Sequence, residues 1–116
     1  MRRQRSTADS WRLSGIIDFG DMVHTVTVAE LAIASVYVML GNTEPEAAAT
    51  ALVGGYESRR PLTDLERELL PDLRVARLCH SLLMCAQARA TTPDDAYLRI
   101  SEKPVAELLS RLQATP

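Results

Sequence analysis

The sequence has little of what a nucleic-acid binder, a disulfide scaffold or a membrane protein needs. Only 4 % of its 116 residues are aromatic, one Trp, one Phe and three Tyr, which is too few for a base-stacking platform. Lysine occurs once, as Lys103, and the 13 basic residues are outnumbered by 15 acidic ones, for a formal net charge of −2. The basic footprint of nucleic-acid binding is therefore absent, and so is any electrostatic attraction to an anionic membrane. The two cysteines, Cys79 and Cys85, come without a secretory signal pattern and point to a reducing, cytoplasmic compartment. No apolar run approaches the roughly 20 residues that span a bilayer. What is there is 47 % hydrophobic and 24 % charged, a balance that excludes disorder and suits one small domain with its own core.

The patterning is mainly α. Residues 1–10 are polar and aperiodic and read as a flexible arm, leaving 11–116 as the folded part. Trp11-Arg12-Leu13-Ser14-Gly15-Ile16-Ile17 alternates and then turns β-branched, as a short strand or hairpin would, and stops at Asp18-Phe19-Gly20-Asp21. About five helical pieces follow. Thr27-x-x-Glu30, Thr43-x-x-Glu46 and Thr63-x-x-Glu66 each fit a capping box. A first helix over about 28–40 is apolar nearly all round and is expected to be buried on every side as the central pillar. Gly41-Asn42 should end it. A second helix runs from about Glu44 to Glu57, with Pro45 in its first turn. A third starts near Asp64 and is expected to break or kink at Pro71. Its continuation to about Ala90 carries Val75, Leu78, Cys79, Leu82, Cys85 and Ala86 as a broad apolar stripe. Both cysteines read as buried structural residues and His80 as a core or boundary residue. Thr92-Pro93-Asp94-Asp95 turns into a short irregular piece, and Ser101 precedes a last helix with Val105, Leu108, Leu109 and Leu112 on one face.

One segment carries chemistry. In Gly15-Ile16-Ile17-Asp18-Phe19-Gly20-Asp21, apolar strand residues deliver an acid and a glycine two residues later lets the chain turn. A carboxylate held on such a turn is a hard-oxygen ligand suited to Mg²⁺, which takes one or two protein carboxylates while phosphates and waters fill its other positions. Asp21 is a second candidate ligand or an orienter of the first. The plain alternative is a turn with no ligand. His24, just beyond it, is a candidate for a substrate pocket or an ordinary loop residue.

The stretch Ser14-Gly15-Ile16-Ile17-Asp18-Phe19-Gly20-Asp21-Met22 resembles the magnesium-binding segment of the aminoglycoside phosphotransferase family, which includes hydroxylysine-kinase-like enzymes and shares the protein-kinase-like fold. Glu30-Leu31-Ala32-Ile33-Ala34 resembles the start of that family's next helix. Arg60-Pro61-Leu62-Thr63, Leu70-Pro71-Asp72-Leu73 and Tyr97-Leu98-x-Ile100-Ser101-Glu102 resemble its hydroxylysine-kinase-like branch, which also occurs fused to class III aminotransferases. The resemblance runs over about residues 11–113. It implies that Asp18 holds the Mg²⁺ that bridges the phosphates of ATP or GTP. It also implies that Glu30 anchors the catalytic loop, unless Glu30 only closes the Thr27 capping box, and that Glu57 is a candidate contact to an amine-bearing substrate. The substrate class implied is a small amine-containing molecule with a hydroxyl to be phosphorylated.

The resemblance also implies residues that are not found here. The 116 residues contain no His-x-Asp segment, no glycine-rich phosphate loop ahead of Asp18 and no lysine before Lys103. The expectation is therefore a partial protein-kinase-like C-lobe, the C-terminal part only, inactive alone and exposing apolar surface that favours a homo-oligomer or the missing N-terminal half as partner. The alternatives are a non-catalytic helical interaction module and part of a longer kinase–aminotransferase fusion.

Overall fold

The computed structural model describes residues 2–5 and 11–114. An antiparallel hairpin, β1 (Arg2–Arg5) and β2 (Trp11–Gly15), precedes α1 (Thr27–Met39), α2 (Pro45–Glu57), α3 (Asp64–Thr91) and α4 (Glu102–Ala114), with a 3-10 turn over Ala96–Arg99 leading into α4. The mainly α architecture follows the patterning, with four α-helices and one short turn making up the expected five pieces. Arg2–Arg5, which the pattern assigns to an aperiodic arm, instead pair with β2. Arg3 lies opposite Leu13 and Arg5 opposite Trp11, with an irregularity between Arg2 and Arg3. Main-chain pairing needs no apolar pattern, so hydrophobic periodicity cannot reveal such a strand. Residues 1 and 6–10 of that arm lie outside the described residues.

The helices pack around α1, which meets both α2 and α3, while α4 closes against α3. One core joins all four: Val36 and Met39 of α1, Ala49 of α2, Leu78 of α3, and Val105 and Leu108 of α4. A second joins Val28, Leu31 and Ala32 of α1 to Leu62 in the α2–α3 connection and Leu70 of α3. The expected α4 face is the one buried, with Val105 and Leu108 inside and Leu109 and Leu112 half-buried. α1 is the pillar the pattern suggests, but it is not covered all round. Tyr37 and Val38 are exposed and Ile33 and Ala34 only half-buried, because neighbours reach only part of its circumference. The radius of gyration, 16.3 Å, exceeds the roughly 13 Å of a compact chain of this length.

The helix starts depart from the sequence pattern in two of three cases. At α3 the Thr63 hydroxyl accepts the Glu66 amide at 3.1 Å, as a capping box requires. At α2 the cap position is Glu44, with no side-chain bond. Pro45, with no amide of its own, takes the first helical position and so moves the cap one residue past Thr43. The Glu44 amide donates to Asn42 Oδ1 at 2.9 Å, and Gly41 supplies the positive φ of 68° that turns the chain out of α1. At α1 the cap position is Val26, again without a side-chain bond, and Thr27 is already helical. The buried set Val28, Leu31, Ala32, Ser35 sets where this helix starts, and the capping residues do not.

α3 does not break at Pro71. It runs unbroken for 28 residues with Pro71 inside it. The proline forfeits one amide bond to residue 67. However, Pro71 and Arg67 are both exposed, where water serves the freed carbonyl, while Leu70 and Leu78 anchor the helix on either side in separate cores. Each buried leucine contributes about 1.5–3 kcal/mol, enough to carry the helix through. The stripe is also narrower than the pattern implies. Leu78 and Cys85 are buried, but Cys79, Ala86 and His80 are exposed, since a helix lying along one seam buries only residues close to the Leu70–Leu78–Leu82 row.

Thr63→Ala is expected to lower unfolding stability by about 1 kcal/mol. Thr27→Ala and Thr43→Ala should each stay within about 0.5 kcal/mol. Urea unfolding of the three variants checks the difference.

Candidate functional site

The acidic segment leaves the hairpin and reaches α1 without entering either core. From β2 the chain passes through Ile16 and Ile17 to Asp18, the one residue other than glycine described with a positive φ, 74°. Aspartate is among the few residues that occupy this left-handed region with moderate strain. It reverses the chain direction so that the Phe19 carbonyl accepts the Met22 amide at 3.1 Å, closing a turn through Gly20 and Asp21. Asp18 and Asp21 are thus brought onto one short loop, both exposed, with His24 exposed three residues further on. Non-glycine residues in such a backbone conformation collect at binding and switch sites.

Trp11, Leu13, Ile16, Ile17, Phe19, Met22, Val23 and Val26 are all exposed, Val23 by 73 %. Exposed apolar side chains thus flank the acidic turn on both sides in the sequence.

The other two expected site residues are placed elsewhere. Glu30 lies in the first turn of α1 with an exposed side chain. Glu57 ends α2 and is engaged by Arg67 Nη2 at 2.5 Å. Around it, Arg60 meets Glu66 at 3.1 Å and the Tyr56 hydroxyl at 3.4 Å, and Arg67 also meets Asp64. This network ties the α2–α3 connection. The Arg60 guanidinium, bonded to its carboxylate, holds Glu66 below the usual carboxylate range, with the Thr63 hydroxyl and amide adding to it against the opposing effect of desolvation.

For Mg²⁺, the donor set is one carboxylate with a second on the same loop. Among the described residues no group of three or more His, Cys, Asp and Glu side chains is arranged to hold a metal ion. Asp18 and Asp21 therefore fit a site in which nucleotide phosphates and water complete the coordination, and do not fit an all-protein cage. Sequence patterning missed Arg74 of α3, whose guanidinium lies against the wholly buried Ser35 of α1. The signal was available: Arg74 falls between Leu70 and Leu78 at helical spacing, in the buried row itself.

Comparison with known proteins first defines the class. Hydroxylysine kinase of Mus musculus is 39 % identical over 93 residues, covering 79 % of this chain and 25 % of that protein. Hydroxylysine kinase of Danio rerio is 35 % identical over 103 residues, 88 % of this chain and 29 % of the relative. That of Bos taurus is 36 % identical over 94 residues, 80 % and 25 % respectively. No family model and no solved structure matches the chain. The proteins it matches are thus kinases by name. More particularly, the chain is homologous to part of the hydroxylysine kinases, and it spans about a quarter of the length of the curated relatives it matches. No described helix is long and apolar enough to cross a membrane.

Because the carboxyl of Glu66 is held down in the folded state, its contribution to stability is full above the pKa of an unfolded glutamate and disappears as pH falls through the folded value. The unfolding midpoint should therefore drop on acidification from about pH 7 to about pH 3, and Glu66→Gln should flatten part of that slope. Thermal melts across the range measure it.

Proposed function

We propose that this chain is the C-terminal part of the C-lobe of an ATP- or GTP-dependent small-molecule phosphotransferase, with Asp18 as its Mg²⁺ ligand. Residues 11–116 would form this part, preceded by the segment 1–10. The observation that carries the reading is the Asp18 turn: an exposed carboxylate delivered by a strand, set by a left-handed backbone, in a chain 34–39 % identical to hydroxylysine kinases. Bound there, Mg²⁺ would neutralise phosphate charge, the main need of phosphoryl transfer. Asp18 would hold the ion and Asp21 would orient it or add a second oxygen. Glu30, at the start of α1, would steady the polypeptide that carries the catalytic base, and His24 would border the substrate.

The substrate class this supports is a small amine-containing molecule with a free hydroxyl. Glu57 is a poorer candidate contact than its sequence position suggests, since Arg67 already occupies it. These 116 residues hold no His-x-Asp base, so the base and the rest of the nucleotide cleft would come from polypeptide outside them, and the reading gives the chain no turnover by itself in a cytoplasmic setting. Calorimetric titration with Mg·ATP tests the half-site. Binding at about millimolar or tighter, lost in Asp18→Ala and kept in Glu68→Gln, is expected, and an unchanged isotherm in Asp18→Ala overturns the assignment.

The exposed apolar side chains of 11–26 favour a second reading, a module that works by association with a second copy or another polypeptide. That reading expects a stable oligomer on size exclusion that Ile17→Asp with Phe19→Asp disperses, and indifference to Asp18→Ala.

A further inference from the structure

Three of the six arginines that α3 and the α4 region present have an acid, while Arg77 and Arg99 meet the Tyr37 hydroxyl and the Pro93 carbonyl. Arg67 meets Glu57 and Asp64, Arg89 meets Glu102, and Arg111 meets Glu46. Arg74 does not. Its row-mates Leu70 and Leu78, one turn away on either side, are buried. That places its side chain along the α1–α3 seam, half-buried.

Its Nη2 donates to Ser35 Oγ at 3.3 Å, and Ser35 Oγ in turn donates to the Leu31 carbonyl at 2.7 Å. The serine proton is therefore committed, and the serine oxygen does no more than orient the guanidinium. Nε of Arg74 is buried with no acceptor. Among the described residues no carboxylate lies within ion-pair distance of Arg74. One turn on, Arg77 meets only the neutral Tyr37 hydroxyl, at 3.4 Å. A desolvated guanidinium whose partner is a neutral hydroxyl retains most of its capacity for an anion. Burial also pulls its pKa down, with no neighbouring acid to raise it.

We propose that the Arg74 guanidinium, oriented by Ser35 and flanked by Arg77, is a receptor for a carboxylate group. The class follows from the donors. With Nε enclosed and one Nη on Ser35, the edge of the guanidinium that remains is planar and matches the two oxygens of a carboxylate. The carboxylate could belong to a free amino acid or to an Asp or Glu of adjoining polypeptide. The chemistry is shared, and the site stands independently of the metal reading of Asp18.

Nuclear magnetic resonance of the ¹⁵N-labelled chain tests this, reading the Arg74 Nε–H signal and the Ser35 backbone amide. Sodium acetate is added at constant ionic strength against sodium chloride. A saturable shift at both groups, with acetate binding about five-fold or more tighter than chloride and exposed Arg59 unaffected, is the expected result. Equal response to chloride, or the same response at Arg59, overturns the proposal. Arg74→Lys keeps charge while losing the fork, so the Ser35 response should weaken about five-fold or more; undiminished binding overturns the assignment, provided circular dichroism shows the helices intact. Hydroxylysine and N-acetyl-glutamate methylamide then separate the sources. Tighter binding of the first assigns a free amino acid, tighter binding of the second a side-chain carboxylate of polypeptide, and a failure of both to exceed chloride overturns the site.

Discussion

Everything in this fold depends on covering α1. It carries Val28, Leu31, Ala32, Val36 and Met39 along one side, and α3, the longest neighbour, contributes to the core at both ends of that side. α3 runs past the whole of α1, placing Leu70 against its first half and Leu78 against its second. Leu78 is entirely enclosed, at the one place where all four helices contribute to a core. α2 and α4 fill the remaining sides of that seam, and their ion pairs, such as Arg111 with Glu46, lie on the rim, where exposed pairs contribute little. The same need explains why Pro71 is tolerated: interrupting α3 would split the cover into two short helices, each with half the burial.

This arrangement leaves the chemistry outside the packed body. The Asp18 turn rides on a hairpin and a connection whose apolar residues are exposed, so no core in these residues fixes its orientation. The proposed role of Asp18 as a metal ligand would need rigidity, and the exposed apolar side chains beside it would gain from cover; an association against the hairpin would supply both. At the Arg74 seam lies a half-buried cation whose partner among the described residues is a serine already bonded to its own helix.

Much of this was legible in the sequence, for definite reasons. Helix existence and type were readable because the apolar residues of α1 and α4 recur at helical spacing and Gly41-Asn42 and Pro45 punctuate the chain. Asp18 stood out because a β-branched run delivers it and a glycine follows. What failed were inferences that treated a local motif as sufficient. Thr27 and Thr43 have the right spacing for capping boxes, but burial of Val28 and the geometry of Pro45 decided where those helices begin. Cys79 and His80 adjoin a buried leucine, yet a turn of about 100° per residue carries them to solvent.

By itself, the sequence determined the class of fold, most of the helical segments and the acidic turn as the place to look, because these follow from residue spacing and backbone preference within a few residues. Only the tertiary structure decided that α3 passes through its proline, that Glu57 is engaged by Arg67, that α1 keeps one side open and that Arg74 lies unpaired by any acid at a helix seam. Each of these depends on which residues distant in the chain come together, and the energy of burying Leu70 and Leu78 on one continuous helix outweighs the local signals that a sequence pattern can read.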